Sequence, residues 1–148
     1  MGLQHSKDNL YDKDFFAWSM YQADLLRKHK MDGIDFEHLA EEIEDLGKKH
    51  KRELSNRIIV LMKHLLKMEF QPELRSKSWT LTIREQRKEI RKLILENPSL
   101  KPLVDEYWKD CYEEAMEEAE LEIGMYAIKF PMDCPWTKEE VLETLFKE

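Results

Sequence analysis

The chain has 148 residues, which is enough for one domain with a single hydrophobic core. Glycine and proline number only 4 and 5, and 42% of the residues are apolar against 37% charged, which favours a folded helical protein over a disordered one. No apolar run is long enough to span a membrane, no secretory signal is visible, and two cysteines fit neither a disulfide framework nor a zinc cluster. We therefore expect a cytoplasmic protein without a membrane partner.

Residues 1–10 are predicted to form a flexible tail, and residues 11–148 a single helical domain. The opening MGLQHS matches a short myristoylation pattern, with Gly2 followed by Ser6. No polybasic second anchor follows closely, so this match does not change the prediction.

A first helix is predicted to begin after Asp12 or Asp14, either of which can accept hydrogen bonds from the first amides. Gly33 is predicted to close it with a positive φ. Its apolar face is predicted to comprise Phe15, Trp18, Leu25 and Leu26, with Tyr21 or Gln22.

A long second helix, about 36–70, is predicted after the N-cap Asp35 because apolar residues recur at steps of three and four. That stripe comprises Phe36, Leu39, Ile43, Leu46, His50, Leu54, Ile58, Leu61 and Leu65. Gly47 lies inside this helix, where it costs about 1 kcal/mol against alanine. It indicates a close contact or a bend, and a break into two helices is the alternative.

Pro72 ends the long helix, and Ser78 or Thr80 is predicted to cap a third helix, with Thr82 and Glu85 as an alternative capping box. Its predicted apolar face comprises Trp79, Ile83, Ile90, Leu93 and Ile94. A fourth helix follows Pro102, with a stripe of Leu103, Tyr107, Cys111, Ala115 and Ala119. After Gly124 and the irregular crossing KFPMDCPW, the segment TKEEV, from Thr137 to Val141, is predicted to open a short C-terminal helix through a capping box. The chain is therefore predicted to be an all-α helical bundle of about four main helices.

Charge is concentrated in two parts of the chain. Residues 63–92 carry 9 basic and 4 acidic groups, and residues 93–148 carry 5 basic and 15 acidic groups. Pairing of basic and acidic helices within the fold is one explanation, and an anion site is the other. The candidate anion or ligand site comprises His64, Gln71, Arg75, Lys77, Ser78, Trp79, Arg84 and Arg87. Gln71 or Arg75 can alternatively bind the last carbonyls of the long helix.

Other chemistry finds little support in the sequence. A di-iron bundle needs Glu-x-x-His pairs, which are absent, and there is no phosphate loop and no nucleophile elbow. We expect no metal and no cofactor. His50 and His64 are 14 residues apart on one helix face, too far to share a metal, and both are predicted to be structural.

Several blocks of the chain resemble a known bacterial family, domain-of-unknown-function family twenty-nine. They are YDKDFFAW, LLRKHKMDGIDFEHLAEEIEDLGKKHKREL, HLLKMEFQPELRSKSWTLTIREQR, NPSLK and FPMDCPW. The resemblance extends from about Tyr11 to the C-terminal helix and implies an all-helical fold. It supplies no reaction, cofactor or catalytic residue.

Three functions follow, in order of preference. The first is a non-enzymatic module that binds a protein partner or assembles with itself through an exposed apolar patch, expected among Met62, Met68, Trp108 and Trp136. The second is a binder of small anions or, less favoured, nucleic acid through the basic segment 75–92. The third is a hydrolase-like enzyme centred on His64, with Glu41 or Glu44 as its orienting carboxylate.

Overall fold

The structure, a computed structural model, describes residues 10–124 and 130–146, and these form helices and turns without a β-strand. The predicted all-α fold, with one long helix and a short C-terminal helical segment, is confirmed. The predicted tail and the MGLQHS pattern lie outside the described residues, apart from Leu10, and so does Lys129 at the start of the crossing. Within the described ranges, no helix is long and apolar enough to cross a bilayer.

Helix α1 spans Phe15–Arg27 and begins at the predicted cap Asp14, whose Oδ1 accepts a hydrogen bond from the Ala17 amide at 3.0 Å. Gly33 has the predicted positive φ, 101°, but it does not close α1, which ends at Arg27, six residues earlier, and is followed by a left-handed His29 with a φ of 53°. A side chain at position 33 would also meet Leu25, because an added Cβ would lie 3.1 Å from Leu25 Cδ1. Glycine is therefore required twice over at this turn.

The face of α1 is only partly buried. Trp18, Gln22 and Leu25 are buried. The remaining predicted face residues, Phe15, Tyr21 and Leu26, are exposed. Burial of Gln22 is compensated because its side-chain Nε2 donates to Gly33 O at 3.2 Å and its Oε1 accepts from the backbone N–H of Asp35 at 2.8 Å.

Helix α2 spans Phe36–Phe70 without interruption, so the prediction of one long helix is confirmed. Asp35 caps it, since its Oδ1 accepts from the His38 amide at 3.3 Å. An added Cβ on Gly47 would meet no atom of the described residues within 4 Å, so no close contact among them accounts for this glycine. The chain divides after Lys48, inside α2, into two compact units, residues 1–48 and 49–148.

Helix α3 spans Lys77–Glu96 and helix α4 spans Lys101–Ile123. The predicted caps at Ser78 or Thr80 are wrong: Ser76 is the N-cap, and its side chain accepts from the Trp79 amide at 3.2 Å. The serine of the RSKSW segment that has extended backbone is Ser76, so it can turn its hydroxyl toward the first amides.

The end of α4 and the C-terminal segment agree with the sequence pattern. Gly124 ends α4 with a φ of 76°. The capping box is formed, because the Glu140 amide donates to Thr137 Oγ1 at 3.1 Å and the Thr137 amide donates to Glu140 Oε1 at 3.3 Å. The helical turns that follow are of the wider π type, over Glu140–Thr144.

The core of unit 49–148 is built from the second part of α2, the inner faces of α3 and α4, and the C-terminal segment. Its largest fully buried members include Leu54, Ile58, Leu61, Met62, Leu65, Leu66, Ile90, Tyr112 and Val141. Small residues on α4, Ala115 and Ala119, are also fully buried.

Candidate functional site

The corner between α2 and α3 holds two residues of the predicted anion site, Gln71 and Arg75. Arg75 donates from Nε and Nη2 to Met68 O, both at 3.3 Å, so it binds an end carbonyl of α2 as the sequence suggested. Its guanidinium also lies 5.0 Å from the ring centroid of Phe146. Gln71 continues the turn, its amide donating to Lys67 O at 2.8 Å. These contacts give Arg75 a structural task at this corner.

Trp79 is half-buried against the core and lies under a cation. Lys67 Nζ is 5.3 Å from the Trp79 ring centroid, and the same amine forms an ion pair with Glu122. Lys67 is itself buried, so its charge is shared between an aromatic face and a carboxylate. Basic and acidic helices do pair within the fold here, because Lys63 on α2 also contacts Glu122, at 3.0 Å.

Arg87 points into the protein. Its guanidinium donates to three carbonyls of the C-terminal segment: Val141 O at 2.9 Å, Glu140 O at 3.1 Å and Leu145 O at 2.6 Å. Burial lowers its pKa, but arginine remains charged at any physiological pH. Arg87 is therefore bound inside the chain and does not lie on the exposed face of the basic segment 75–92. The signal was present in the spacing, since Ile83, Arg87 and Ile90 share one helix face.

The rest of the basic segment faces solvent. Within the described ranges, the side chains of Lys77 and Arg84 make no hydrogen bond or ion pair, and both are exposed. Ser78 contributes its carbonyl to the Thr82 hydroxyl at 3.0 Å. Among the residues that the structure describes, no hydrogen bond or ion pair links these three residues to Arg75 or Arg87.

His64 is half-buried beside the core. Its Nδ1 lies 2.8 Å from Val60 O, one helical turn earlier, and a carbonyl can only accept, so Nδ1 carries the proton. Burial, with Lys67 and Lys63 nearby, lowers the pKa of His64 and favours the neutral ring. Glu41 and Glu44 belong to unit 1–48, whereas His64 belongs to unit 49–148.

The exposed apolar patch was expected in the wrong place. Met62, Met68 and Trp136 are buried, and Trp108 is half-buried. Instead, most of the large apolar side chains that are exposed among the described residues lie between positions 15 and 46. These are Phe15, Phe16, Met20, Tyr21, Leu26, Met31, Phe36, Ile43 and Leu46.

The α2 stripe therefore has two parts. We call Phe36, Leu39, Ile43, Leu46 and His50 the open half of the stripe, and Leu54, Ile58, Leu61 and Leu65 its buried half. Ile43 and Leu46 are 66% and 64% exposed, whereas every member of the buried half is 0% exposed. Leu39 is half-buried, and His50 is exposed.

Charge on the open half changes sign along the helix. Glu41, Glu42, Glu44 and Asp45 precede Gly47, and Lys48, Lys49, Lys51 and Arg52 follow it. Glu42 accepts from the Tyr11 hydroxyl at 2.5 Å, and Lys51 Nζ lies 5.6 Å from the Tyr107 ring centroid. Across the ranges that the structure describes, none of these eight side chains forms an ion pair within 4 Å.

Unit 1–48 contains an aromatic cluster that the sequence reading did not identify. The rings of Tyr11 and His38 stack at 3.8 Å, and His38 Nδ1 lies 2.6 Å from Asp35 Oδ2. Trp18 Nε1 donates to the same carboxylate oxygen at 3.1 Å. Despite opposing desolvation, hydrogen bonds from His38 and Trp18 keep the pKa of Asp35 below its ordinary value. The i, i+3 spacing of Asp35 and His38 was the available signal.

An open groove of about 620 Å³ lies in unit 49–148, between α2 and α3. It is lined by Lys49, Arg52, Glu53, Asn56, Arg57, Val60 and Gln86. Arg57 is bound within it, donating to Glu53 Oε1 at 3.0 Å and to Gln86 Oε1 at 3.1 Å. The groove is thus partly neutralised by its own residues.

The thiols are not activated, and the described residues form no cluster of metal ligands. Burial raises the pKa of Cys111 to about 11, and burial also raises the pKa of Cys134. Within the described ranges, no three His, Cys, Asp or Glu side chains are grouped so that they could hold a metal ion.

Comparison with known proteins gives one match. The family model described as Domain of unknown function DUF29 matches residues 10–147, nearly the whole chain. The chain matches no curated protein, and no solved structure resembles it.

Proposed function

This chain belongs to the family described as Domain of unknown function DUF29. From the exposed surface of the chain, we propose that it is a non-enzymatic helical module that binds a protein partner or a second copy of itself. The observation that carries the proposal is the open half of the α2 stripe. The apolar periodicity that contributes buried residues to the core from Leu54 onward continues between Phe36 and His50, where most of the stripe side chains are exposed to solvent.

An exposed stripe of this kind is costly for a protein that works alone. Each Å² of apolar surface left in water forgoes about 25 cal/mol. Ile43 and Leu46 are neighbours on the helix surface, so their exposed areas adjoin. Contiguous apolar surface rimmed by charge is typical of protein-binding sites.

The groups that a catalytic reading would use support the same proposal. His64 donates to a carbonyl of its own helix, and the pKa of Cys111 is far too high for a thiolate nucleophile. Arg75 donates hydrogen bonds to a carbonyl near the end of α2, and Arg87 donates to carbonyls of the C-terminal segment.

A site-resolved photo-crosslinking experiment tests the proposal. A photoreactive amino acid is placed at position 46, in the open half of the stripe, and separately at position 48, which lies on the opposite side of α2. We expect adducts from position 46 and few from position 48 in cells that express the full chain. Mass spectrometry then separates a second copy from another protein. Equal labelling from both positions, or none from position 46, would contradict the proposal.

The second candidate function is binding of small anions by the outer face of α3. Lys77 and Arg84 favour it, because their side chains are exposed and make no hydrogen bond or ion pair to the described residues. Titration with inorganic phosphate and with a short single-stranded oligonucleotide, followed by tryptophan fluorescence, tests it. Saturable binding that is lost in Lys77→Ala/Arg84→Ala and weakened by salt is the expected result.

A further inference from the structure

The open half of the stripe has a sequence that is complementary to itself when read backwards. From Glu41 to Arg52 it reads EEIEDL followed by GKKHKR. Acidic residues occupy four of the first six positions, and basic residues occupy four of the last six. Two such helices side by side in opposite directions bring the acidic part of one against the basic part of the other.

The open half of the stripe follows a heptad. Phe36, Ile43 and His50 occur at intervals of seven and take position a, while Leu39 and Leu46 take position d. This is the narrow stripe of a helix that pairs with another helix. Beyond His50 the spacing becomes four and four, and the residues turn into the core of their own chain.

We infer that the open half of the stripe pairs with the same segment of a second copy, antiparallel, about a two-fold axis that passes between Glu44 and Asp45. This inference rests on the proposed function and names the partner. The evidence is the juxtaposition of an exposed heptad with a charge pattern that an antiparallel second copy complements and a parallel one does not.

One register places four of the five positions of the open half against each other, and Phe36 lies opposite Glu53 of the second copy, outside these four layers. Antiparallel helices place each a residue opposite a d residue, so Ile43 meets Leu46 of the second copy and Leu46 meets Ile43. Leu39 then lies opposite His50 of the second copy. The central layers are apolar, and the polar histidine lies at the ends.

The same register places opposite charges beside the apolar layers. Position g of one helix faces position g of the other, so Glu42 meets Lys49 of the second copy twice about the axis. Glu42 has its Oε1 bound by Tyr11, and its other oxygen can accept from a lysine. Lys49 is exposed and forms no ion pair to the described residues.

The other side of the pair is lined by small residues. Ala40 and Gly47 occupy position e, and Gly47 of one copy lies opposite Ala40 of the other. Small side chains let two helix backbones approach closely. This accounts for a glycine within a long helix at a position where an added Cβ would meet no atom of the described residues within 4 Å.

Parallel pairing is disfavoured by the same residues. It would place the acidic stretch against the acidic stretch and His50 against His50, with Glu42 opposite Gly47 instead of a lysine. Antiparallel helices also align their dipoles favourably. Because the seam covers only two heptads, we expect a dimer that dissociates on dilution.

Charge exchange tested by sedimentation equilibrium decides the register. For the full chain of 17.9 kDa, the average mass should rise toward that of a dimer with concentration. Glu42→Lys and Lys49→Glu each create two repulsive pairs, and each should weaken the dimer about tenfold. The double variant, and an equal mixture of the two single variants, should both recover wild-type association.

Matched controls lie one residue away. Glu41→Lys and Lys48→Glu make the same charge changes on the side of α2 opposite the stripe, and should change association little. Thermal unfolding followed by circular dichroism verifies that Glu42→Lys, which also loses the Tyr11 hydrogen bond, remains folded. High salt should reduce the difference between single and exchanged variants.

The outcomes separate this inference from the proposed function. A wild-type chain that stays monomeric to its solubility limit overturns the inference, while crosslinks from position 46 to another protein would still support the proposed function. Association that Leu46→Asp abolishes but charge exchange does not restore also overturns this register and keeps the stripe as an interface. Association that survives Leu46→Asp overturns the inference, and it overturns the proposed function as well if position 46 also gives no crosslinks.

Discussion

The two halves of the α2 stripe have the same periodicity and opposite surroundings. Leu61 and Leu65 are completely buried in the core of unit 49–148, while Ile43 and Leu46 are about two-thirds exposed. The difference lies in the neighbours and not in the helix itself. Residues on α3, α4 and the C-terminal segment pack into the core with the buried half, and no described residue buries the open half to the same degree.

This difference shows that helical periodicity predicts which face of a helix needs a partner, but not which molecule supplies it. One continuous stripe can serve intramolecular packing over part of its length and association over the rest. The charge pattern distinguishes the two parts. Two lysines beside the buried half, Lys63 and Lys67, pair with Glu122 on α4, whereas the charges beside the open half form no ion pair within the described residues.

The largest expected effect compares one leucine from each half. Leu65→Ala should lower the free energy of unfolding by about 2–5 kcal/mol, because it leaves a cavity in a closely packed core. Leu46→Ala should change it by no more than about 0.5 kcal/mol, because the side chain is already mostly in water. Urea denaturation at a concentration where the chain is monomeric measures both. Equal losses would show that the two halves are not different.

Arg87 provides the second comparison, between an inward and an outward arginine on α3. Arg87→Ala removes charge-assisted hydrogen bonds to three carbonyls and should cost about 2–3 kcal/mol. Arg84→Ala, three residues earlier and exposed, should cost no more than about 0.5 kcal/mol. Urea denaturation again measures both. Faster proteolysis of the C-terminal segment in Arg87→Ala alone would confirm that the guanidinium holds it, and equal rates would contradict this.

Arg87 also shows where sequence reasoning succeeds and fails. The fold class, the long helix and the caps at Asp14, Asp35 and Thr137 follow from local rules, because each depends on residues within one turn. Arg87 was placed in the candidate anion site because it lies in the basic segment 75–92. Its partners, carbonyls 53 to 58 residues away, cannot be identified from local spacing.

The exposed patch was misplaced for a related reason. Met62 and Trp136 were expected to be exposed because their residue types are common at interfaces, yet both are buried in the core. The open half lay in the predicted stripe but was read as core, since apolar periodicity alone does not say whether a neighbour exists. The anion site and the single domain remain predictions.

Gly47 and Gly33 provide a smaller comparison between two glycines of unit 1–48. Gly47→Ala should raise the free energy of unfolding of the monomer by about 0.5–1 kcal/mol, because alanine favours helix and its methyl group meets nothing. Gly33→Ala should lower it, because φ is 101° and Leu25 Cδ1 would be 3.1 Å from the new Cβ. Denaturation of dilute protein measures both signs. A loss in Gly47→Ala would indicate a contact at that position within the monomer.

The smallest effect concerns two histidines of α2: His50, which belongs to the open half of the stripe, and His64, which lies beside the buried half. The pKa of His64 is lowered in the folded chain, chiefly by burial, so the unfolded chain binds the proton more readily. The stability that depends on a neutral His64 is therefore complete above the unfolded pKa of about 6.5 and is lost as the pH falls from there toward the folded pKa.

His64→Gln should flatten the decline in denaturation midpoint between neutral and mildly acidic pH. His50→Gln is the control, and the decline that His64 causes should remain in it. The pKa of Asp35 and the pKa of Glu122 are also lowered, but carboxylates lose their contribution only below about pH 4.5, so the two windows separate. An unchanged slope of the denaturation midpoint against pH in His64→Gln would mean that the imidazole is protonated as easily in the folded chain as in the unfolded one.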